Sequence, residues 1–328
     1  MGLGAGASGD GPVEDGRATD RLGLTINLAL TGTTGFVGGH LLEAALGAGH
    51  TVRALVRRPQ PAREGVTWIE GALDKPAPLA RLCEGTSAII HVAGAINAPT
   101  RAAFFAANEA GTRALLAAAK AARVPRFVQV SSLAARKPGL SDYGASKAAA
   151  DTAVRAAPLS TAIVRPPAVY GPGDRETLAL FRLARGGIVP VVGQGRFSVI
   201  HVADLAAALL ALATATATAT ATYEVADGSP PFTQASFAQA IAATLNRHIR
   251  IVPLPATLLP IGAAIDTAIA RARGHAPKLS QDRARYFAHP DWTADPAPLI
   301  ATGLWRPAIP AAQGLAETAA WYRAAGWL

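Results

Sequence analysis

Ser131, Ser132, Tyr143 and Lys147 stand close together in the segment SSLAARKPGLSDYGASK, residues 131–147. Tyr143 and Lys147 are four positions apart at the start of a helix-forming stretch, so they share one helix face about one turn apart. An ammonium group beside a phenol lowers the phenol pKa, which makes tyrosine a usable general acid or base near neutral pH. A serine hydroxyl from a neighbouring strand end, Ser131 or Ser132, could bind the substrate oxygen. The same spacing also occurs on ordinary helix surfaces, so the segment alone leaves both interpretations open.

A glycine-rich turn, TGTTGFVGGH, follows the first predicted strand and precedes a predicted helix. Gly32, Gly35 and Gly38 are spaced three apart, which lets the backbone turn tightly and approach a pyrophosphate. The amide groups at the helix N-terminus would supply the anion site. A tight turn without a ligand is the alternative, but the strand, turn and helix context favours dinucleotide binding.

The second predicted strand, TVRALVRRP, ends with Arg57 and Arg58. They lie about 20 residues past the glycines, where an NAD-specific enzyme carries an acidic residue for the ribose hydroxyls. Guanidinium groups instead suit a 2′-phosphate, and Arg53 could join them. The alternative interpretation is a solvated strand end. We predict NADP as the cofactor, with NAD possible.

Short β-rich runs alternate with Ala/Leu-rich helical stretches from Leu24 onward. This alternation is typical of βαβ units with right-handed crossovers on a parallel sheet. The strand STAIVRPPAVYG must end at its double proline, because proline cannot donate to a ladder. We predict an α/β fold: a doubly wound parallel sheet (Rossmann) with a smaller, interleaved C-terminal substrate lobe. The predicted parts are a flexible tail over residues 1–23, a dinucleotide-binding domain over 24–170 with a contribution from about 197–213, and a mostly substrate-binding lobe over 171–328.

Composition excludes several classes of protein. The 328 residues include 31 Lys and Arg against 22 Asp and Glu, a formal net charge of +9, yet the arginines are scattered without a basic run, which argues against nucleic-acid binding. The single cysteine, Cys83, excludes an internal disulfide, and no cluster has metal-ligand spacing, so we expect no metal. The sequence shows no signal peptide and no transmembrane span, and we expect a cytoplasmic protein. Trp321 and Trp327 could serve either a packing helix or the contact of a homodimer.

Several motifs follow one another in a recognisable order from about Leu24 to the C-terminus: TGTTGFVG, IIHVAG, NEAGT, VSS, YGASK, IVRPPAVYGPGD and IHVADLA. In this order they resemble the extended short-chain dehydrogenase/reductases, that is, the NAD(P)-dependent epimerase/dehydratase family. The resemblance implies that Ser132 polarises the substrate oxygen, that Tyr143 donates or accepts its proton, and that Lys147 holds the ribose and tunes Tyr143. Together with the glycines and arginines above, it gives a cofactor-binding set of Gly32, Thr34, Gly35, Phe36, Val37, Gly38, Arg57, Arg58, Ala93, Gly94, Asn108, Tyr143, Lys147, Pro166 and Ala168.

The chain departs from the family pattern at two places. Many members have an aspartate that contacts adenine where this sequence has Ala72. Nucleotide-sugar members commonly have an arginine for the sugar-nucleotide diphosphate where this sequence has Phe197, with Arg196 one position earlier. A shift of one residue sends a side chain to the opposite face of a strand. The strand end RPP and the segment TVRALVRRP also resemble the reductase branch, the dihydroflavonol-reductase and 3β-hydroxysteroid-dehydrogenase types. Together with the departures they favour a less charged carbonyl or carbinol substrate.

The sequence therefore supports an NADP(H)-dependent oxidoreductase that transfers a hydride between nicotinamide and a carbonyl or carbinol substrate, with tyrosine as the general acid or base. One alternative is a nucleotide-sugar epimerase or dehydratase with tightly bound NAD. Another is a non-catalytic dinucleotide-binding subunit or redox sensor. Three other polar residues have structural interpretations: His91 as a packed, hydrogen-bonded histidine, and His201 with Asp204 as residues that fix a strand-to-helix turn.

Overall fold

The computed structural model describes residues 25–216, 220–255 and 288–328, together with the single positions 1, 261, 263, 264, 266, 285 and 286. Apart from Met1, the predicted N-terminal tail over residues 1–23 lies outside the described residues.

A seven-stranded parallel sheet forms the centre of the molecule, and its strand order is β11-β6-β5-β4-β1-β2-β3. The order reverses between β1 and β4, so the predicted doubly wound Rossmann fold is confirmed. The strands of this sheet are β1 (Asn27–Thr31), β2 (Thr51–Val56), β3 (Val66–Glu70), β4 (Ala88–His91), β5 (Arg126–Val130), β6 (Ser160–Arg165) and β11 (Ala221–Glu224).

Helices cover both faces of the sheet. The α-helices in the described part of the chain are α1 (Phe36–Gly47), α2 (Pro76–Cys83), α3 (Arg101–Phe105), α4 (Gly111–Ala121), α5 (Asp142–Arg155), α6 (Glu176–Arg185), α7 (Val202–Thr214), α8 (Gln234–Thr244), α9 (Ala297–Ala301) and α10 (Ala311–Ala324). Helices α1 and α7 lie on one face of the sheet, and α2, α4 and α5 lie on the other. A π-helical turn, Ala106–Ala110, joins α3 to α4, and a 3₁₀ helix, Leu133–Arg136, follows β5.

Adjacent residues of the central strands point to opposite faces, and each face has its own apolar core. Leu30 of β1 belongs to the core formed with α1 and α7, whereas Ala29 belongs to the core formed with α2, α4 and α5. Every position of β4 and β5 is buried, as expected for parallel strands covered on both sides. The predicted end of β6 is confirmed, because the strand stops at Arg165, directly before the two prolines.

A smaller lobe lies beside this sheet and has a third apolar core, which includes Phe181, Phe237 and Tyr322. Its short strands are β7 (Ala168–Tyr170), β8 (Ile188–Val192), β9 (Arg196–Phe197), β10 (Val199–His201), β12 (Phe232–Thr233), β13 (Arg250–Leu254) and β14 (Asp291–Trp292). The lobes interleave, since α7 and β11 return to the large sheet between segments of the smaller lobe. Sequence analysis did not assign β11 to the sheet, because four residues after a Thr-Ala run carry no clear strand pattern. The predicted domain boundaries at 24–170 and 171–328 stay a prediction.

The N-terminus of α7 joins the two lobes. His201 caps the helix by accepting a hydrogen bond from Ala203 N at 3.4 Å, as the predicted turn requires. Asp204, in the first turn, accepts hydrogen bonds from the backbone N–H groups of Ala308 and Ile309 at 2.9–3.1 Å. The indole of Trp305 donates to the Asp204 carbonyl at 3.1 Å. One residue of α7 therefore holds the chain that leads into α10.

Among the described residues, no helix combines the length and the apolar character that a membrane crossing requires.

Replacing Asp204 with alanine should destabilise the protein, because it removes the buried carboxylate that accepts from two backbone N–H groups before α10. We expect the free energy of unfolding to fall by about 1–3 kcal/mol, measured as the midpoint of urea unfolding. The exposed Asp295, which accepts a hydrogen bond from Ala297 N within its own turn, provides the control variant Asp295→Ala. Equal midpoints for the two variants would contradict the assigned role of Asp204.

Candidate active site

The glycine-rich turn forms a cradle whose geometry requires glycine. Gly32 has a φ of +80°, and a Cβ atom there would lie 2.8 Å from Ala93 N. A Cβ atom at Gly38 would lie 2.0 Å from the Gly32 carbonyl oxygen. Gly35 precedes α1 and provides no side-chain cap, so the first amide groups of α1 keep no side-chain partner at this end. The turn therefore fits the pyrophosphate of a dinucleotide.

The other predicted residues of this turn lie around the cradle. Thr34 is exposed, whereas Phe36 and Val37 are half-buried at the start of α1. The ring of Phe36 packs edge to face against His40, and His40 Nε2 donates to the Pro172 carbonyl at 2.8 Å. Sequence analysis missed His40, although it closes the quoted motif TGTTGFVGGH. Its bond connects the cofactor turn with the loop that leads into α6.

Arg57 and Arg58 directly follow β2 at the same edge of the sheet, and both are exposed. Neither guanidinium has a partner among the described residues. Arg53 is used elsewhere, because its Nε and Nη2 atoms donate to the Arg81 carbonyl at 3.1 and 2.6 Å. The structure therefore brings Arg57 and Arg58, without Arg53, to the edge where a dinucleotide would lie.

The loop after β4 passes directly over two of the predicted residues. A Cβ atom at Gly94 would lie 2.7 Å from Asn108 Oδ1 and 3.4 Å from Lys147 Nζ. Asn108, on the π-helical turn, holds this loop through both backbone groups of Ala95: its Oδ1 accepts from the N–H at 2.7 Å and its Nδ2 donates to the carbonyl at 3.0 Å. Ala93 N donates to Thr31 Oγ1 at 3.1 Å. Asn108 thus contacts the loop that would line the cofactor.

Helix α5 presents Tyr143 and Lys147 from its first turns. Ser141 caps the helix by accepting from Gly144 N at 3.0 Å. A Cβ atom at Gly144 would lie 2.7 Å from the Ala134 carbonyl oxygen, so glycine lets α5 approach the 3₁₀ helix closely. Tyr143 is half-buried, and its ring lies 6.1 Å from that of Phe104. Sequence analysis named neither Ser141 nor Gly144 as part of the site.

Lys147 is buried, and its Nζ donates to the Val130 carbonyl at 2.8 Å. Burial lowers the pKa of Lys147 to about 8, while the charge of Asp151 acts in the opposite direction. Asp151, one turn further along α5, is fully buried and accepts two hydrogen bonds from Arg165 at 3.0 and 2.9 Å. The carboxylate of Asp151 therefore helps keep a buried ammonium group at the carboxyl edge of the sheet.

The two serines after β5 have different surroundings. Ser132 Oγ accepts from Ala134 N at 3.2 Å, a bond that leaves its own hydroxyl hydrogen for another acceptor. Ser131 Oγ is buried and has no partner in the part of the chain that the structure describes. Ser132 therefore fits a role at the substrate oxygen better than Ser131 does.

Pro166 and Ala168 lie at the next strand end. The Pro166 carbonyl accepts from Leu133 N at 3.1 Å, which joins the end of β6 to the 3₁₀ helix beside Ser132. Ala168 is exposed at the start of β7. The predicted residues of β4, β5, β6 and α5 thus meet at one edge.

His91 is fully buried and bonds through both ring nitrogens, to Thr31 Oγ1 at 2.7 Å and to Thr112 Oγ1 at 3.1 Å. The interpretation of His91 as a packed, hydrogen-bonded histidine is confirmed. Burial, and secondarily the charge of Lys147, lowers the pKa of His91 to about 3, so the ring is neutral.

In the sequence pattern of the family, Phe197 stands at the position where nucleotide-sugar enzymes commonly have an arginine. It is half-buried and packs against Phe232 and Phe237, with ring centroids 6.5 and 5.5 Å apart. Arg196 is exposed, as the alternation of a strand requires. No group of three or more potential metal-ligating side chains occurs among the described residues.

Comparison with known proteins places this geometry in a family. The sequence model of the NAD dependent epimerase/dehydratase family matches residues 28–226. A ceramide reductase of Caulobacter vibrioides is 42% identical over 323 residues, 95% of this chain and 98% of that protein. A 4-hydroxy-2-methyl-3-oxo-4-farnesyl-3,4-dihydroquinoline-1-oxide ketoreductase of Stigmatella aurantiaca is 32% identical over 228 residues, 61% of this chain and 68% of that protein.

Solved structures show the same fold at lower sequence identity. MoeE5 in complex with UDP-glucuronic acid and NAD is 24% identical, covers 92% of this chain and 99% of its own, and superposes with a TM-score of 0.71. The chain therefore belongs to the NAD-dependent epimerase/dehydratase family and is an NAD(P)-dependent oxidoreductase of the extended short-chain dehydrogenase/reductase type.

Proposed function

We propose that the protein is an NADPH-dependent reductase of a long-chain lipid ketone, the keto form of a ceramide or a close analogue. The observation that carries this proposal is the meeting of Ser132, Tyr143 and Lys147 at one sheet edge, in a chain 42% identical over nearly its whole length to a ceramide reductase.

In the proposed reaction, Tyr143 donates its phenol proton to the ketone oxygen as the carbonyl carbon becomes a carbinol carbon. Ser132 donates a hydrogen bond to the same oxygen and stabilises the negative charge that develops there. Lys147, held on the Val130 carbonyl, contributes a positive charge beside the phenol. Bound NADPH would supply the hydride from its nicotinamide ring.

The preference for NADPH over NADH rests on Arg57 and Arg58. Two exposed guanidinium groups without partners among the described residues follow β2. A 2′-phosphate offers such groups a dianionic, bidentate acceptor. The reaction consumes NADPH, so we also propose that the protein works in the cytoplasm.

The preference for a lipid substrate rests on the aromatic cluster. Phe197, packed against Phe232 and Phe237, stands where a nucleotide-sugar enzyme commonly has an arginine for the diphosphate, so a charged nucleotide sugar would lack its counter-charge. The names of the Caulobacter and Stigmatella relatives, a ceramide reductase and a farnesyl-quinoline ketoreductase, describe substrates with long apolar chains. A homodimer through Trp321 and Trp327 stays a proposal beside this one.

The first prediction concerns the proton donor. Tyr143→Phe should lower kcat for the ketone by at least about 10²-fold, because the phenol proton is lost while the ring is kept. NADPH consumption with the keto form of a ceramide, followed by absorbance, measures the change, and fluorescence titration checks that NADPH still binds. The buried Tyr223 of β11 supplies the control variant Tyr223→Phe. Full activity of Tyr143→Phe would refute the proposed mechanism.

The second prediction concerns the cofactor. Arg57→Ala combined with Arg58→Ala should weaken NADPH binding by about tenfold or more, since charge-assisted hydrogen bonds to phosphate are lost. The affinity for NADH should stay unchanged, because NADH lacks that phosphate. Isothermal titration with both cofactors measures the difference, and Arg113→Ala on the exposed face of α4 serves as the control. Parallel losses for NADPH and NADH would argue against a 2′-phosphate site.

The third prediction concerns chain length. If the acyl chain is buried, kcat/KM should rise by up to about fourfold per added methylene until the apolar pocket is filled. Phe197→Arg should flatten this dependence, whereas Arg196→Ala, on the opposite strand face, should leave it intact. A series of keto lipids with increasing acyl length tests both variants. Net consumption of NADPH separates this function from an epimerase, which would turn over UDP-sugars without net redox change.

A further inference from the structure

Five buried polar residues are joined by hydrogen bonds between the glycine-rich turn and helix α5, and the link from Thr112 to Asn108 runs through the Asn108 backbone carbonyl. Each is at most 2% exposed, and each has a partner on both sides. They are Thr31, His91, Thr112, Asn108 and Ser146.

The direction of the first bonds follows from the number of hydrogens available. The Thr112 hydroxyl donates to the Asn108 carbonyl at 2.6 Å, so its oxygen must accept the hydrogen of His91 Nε2 at 3.1 Å. A neutral imidazole has one N–H, so its Nδ1 accepts from the Thr31 hydroxyl at 2.7 Å. Thr31 Oγ1 in turn accepts from Ala93 N at 3.1 Å. His91 is thereby fixed in one tautomer.

The remaining bonds lead to the proposed proton donor. Asn108 Nδ2 donates to Ser146 Oγ at 2.9 Å, and the Ser146 hydroxyl donates to the Tyr143 carbonyl at 2.8 Å. The other hydrogen of Asn108 Nδ2 bonds to the Ala95 carbonyl, and Asn108 Oδ1 accepts from Ala95 N. The chain thus runs from the residue before Gly32 to the backbone of Tyr143, with every donor matched to an acceptor.

Such a chain is stiff because its side chains are buried and each is held by hydrogen bonds on two sides. Breaking a link leaves a buried donor or acceptor unsatisfied, which costs more than the bond itself contributes. The low pKa of His91 agrees with a ring that stays neutral beside the Lys147 ammonium.

We propose that His91 is a positioning residue that fixes the distance between the glycine-rich turn and Tyr143. It touches neither the proposed substrate position nor the reacting atoms, and it acts through Thr112, Asn108 and Ser146. This inference rests on the roles proposed above for Tyr143 and Lys147. A displacement of about 1 Å between a bound cofactor and its acid can cost up to about 10²-fold in rate, so the chain has catalytic importance without contact.

Matched threonine variants test the proposal. Thr112→Val removes the link between His91 and Asn108 with little change of shape, while Thr112→Ser keeps the hydroxyl. Thr318→Val is the control, because Thr318 is equally buried and donates to the Gly314 carbonyl at 2.6 Å, four residues earlier in α10. At saturating NADPH and keto lipid, Thr112→Val should lower kcat about tenfold with KM little changed, whereas Thr112→Ser and Thr318→Val should keep kcat.

A second substitution shows whether the chain acts as a unit. Thr31→Val should also lower kcat, and the double variant Thr31→Val with Thr112→Val should be hardly slower than the slower single variant. Additive losses would mean that the two threonines act separately. Wild-type kcat in Thr112→Val, or an equal loss in Thr318→Val, would reduce the chain to a merely structural role and overturn the proposal.

A measurement on the wild-type protein needs neither a substrate nor a folded variant. In ¹⁵N-labelled holoenzyme, the His91 ring should show a protonated Nε2 and an unprotonated Nδ1 that does not titrate across neutral pH. A protonated Nδ1, or a ring that titrates near the usual histidine pKa, would overturn the proposal. If Tyr143→Phe were fully active, the proposed function would fail while this NMR result could still stand.

Discussion

Close contact between the loops that follow β1 and β4 is the constraint on which the rest of the structure depends. These two strands are neighbours where the strand order reverses, and a Cβ atom at Gly32 in the first loop would lie 2.8 Å from Ala93 N in the second. A Cβ atom at Gly94 in the second loop would lie 2.7 Å from Asn108 Oδ1 and 3.4 Å from Lys147 Nζ. The same contact therefore shapes the proposed phosphate cradle and seats the loop beside Lys147 of α5. This close contact explains why Gly32 and Gly94 have no side chain and why the side-chain amide of Asn108 beside Gly94 is buried.

Much of this arrangement could be predicted from the sequence, because local patterns determine it. The alternation of strands and helices, the glycine spacing and the prolines after β6 each act within a few residues. The same holds for the spacing of Tyr143 and Lys147, which requires only a helix, and α5 provides it from Asp142.

Contacts between distant segments could not be predicted in this way. Nothing near His91 in the sequence indicates that Thr31 and Thr112 approach it from two other elements. Likewise, the bond from His40 to Pro172 joins residues 132 positions apart. The strand β11 was missed for a related reason, because its identity comes from pairing with β6 and not from its own four residues. Arg53 lies on β2 and its guanidinium could suit a cofactor phosphate by residue type, but in the structure it donates to the Arg81 carbonyl on α2.

The interleaving of the two lobes has a consequence for how a substrate reaches the site. Hinge-type opening needs few connections, whereas here the chain crosses between the lobes after β6, before α7 and again after β11. Asp204 adds a further connection by holding the segment that leads into α10. Connections of this number restrain the motion of one lobe against the other as rigid bodies. We therefore expect a bulky ligand to enter mainly by displacement of individual loops.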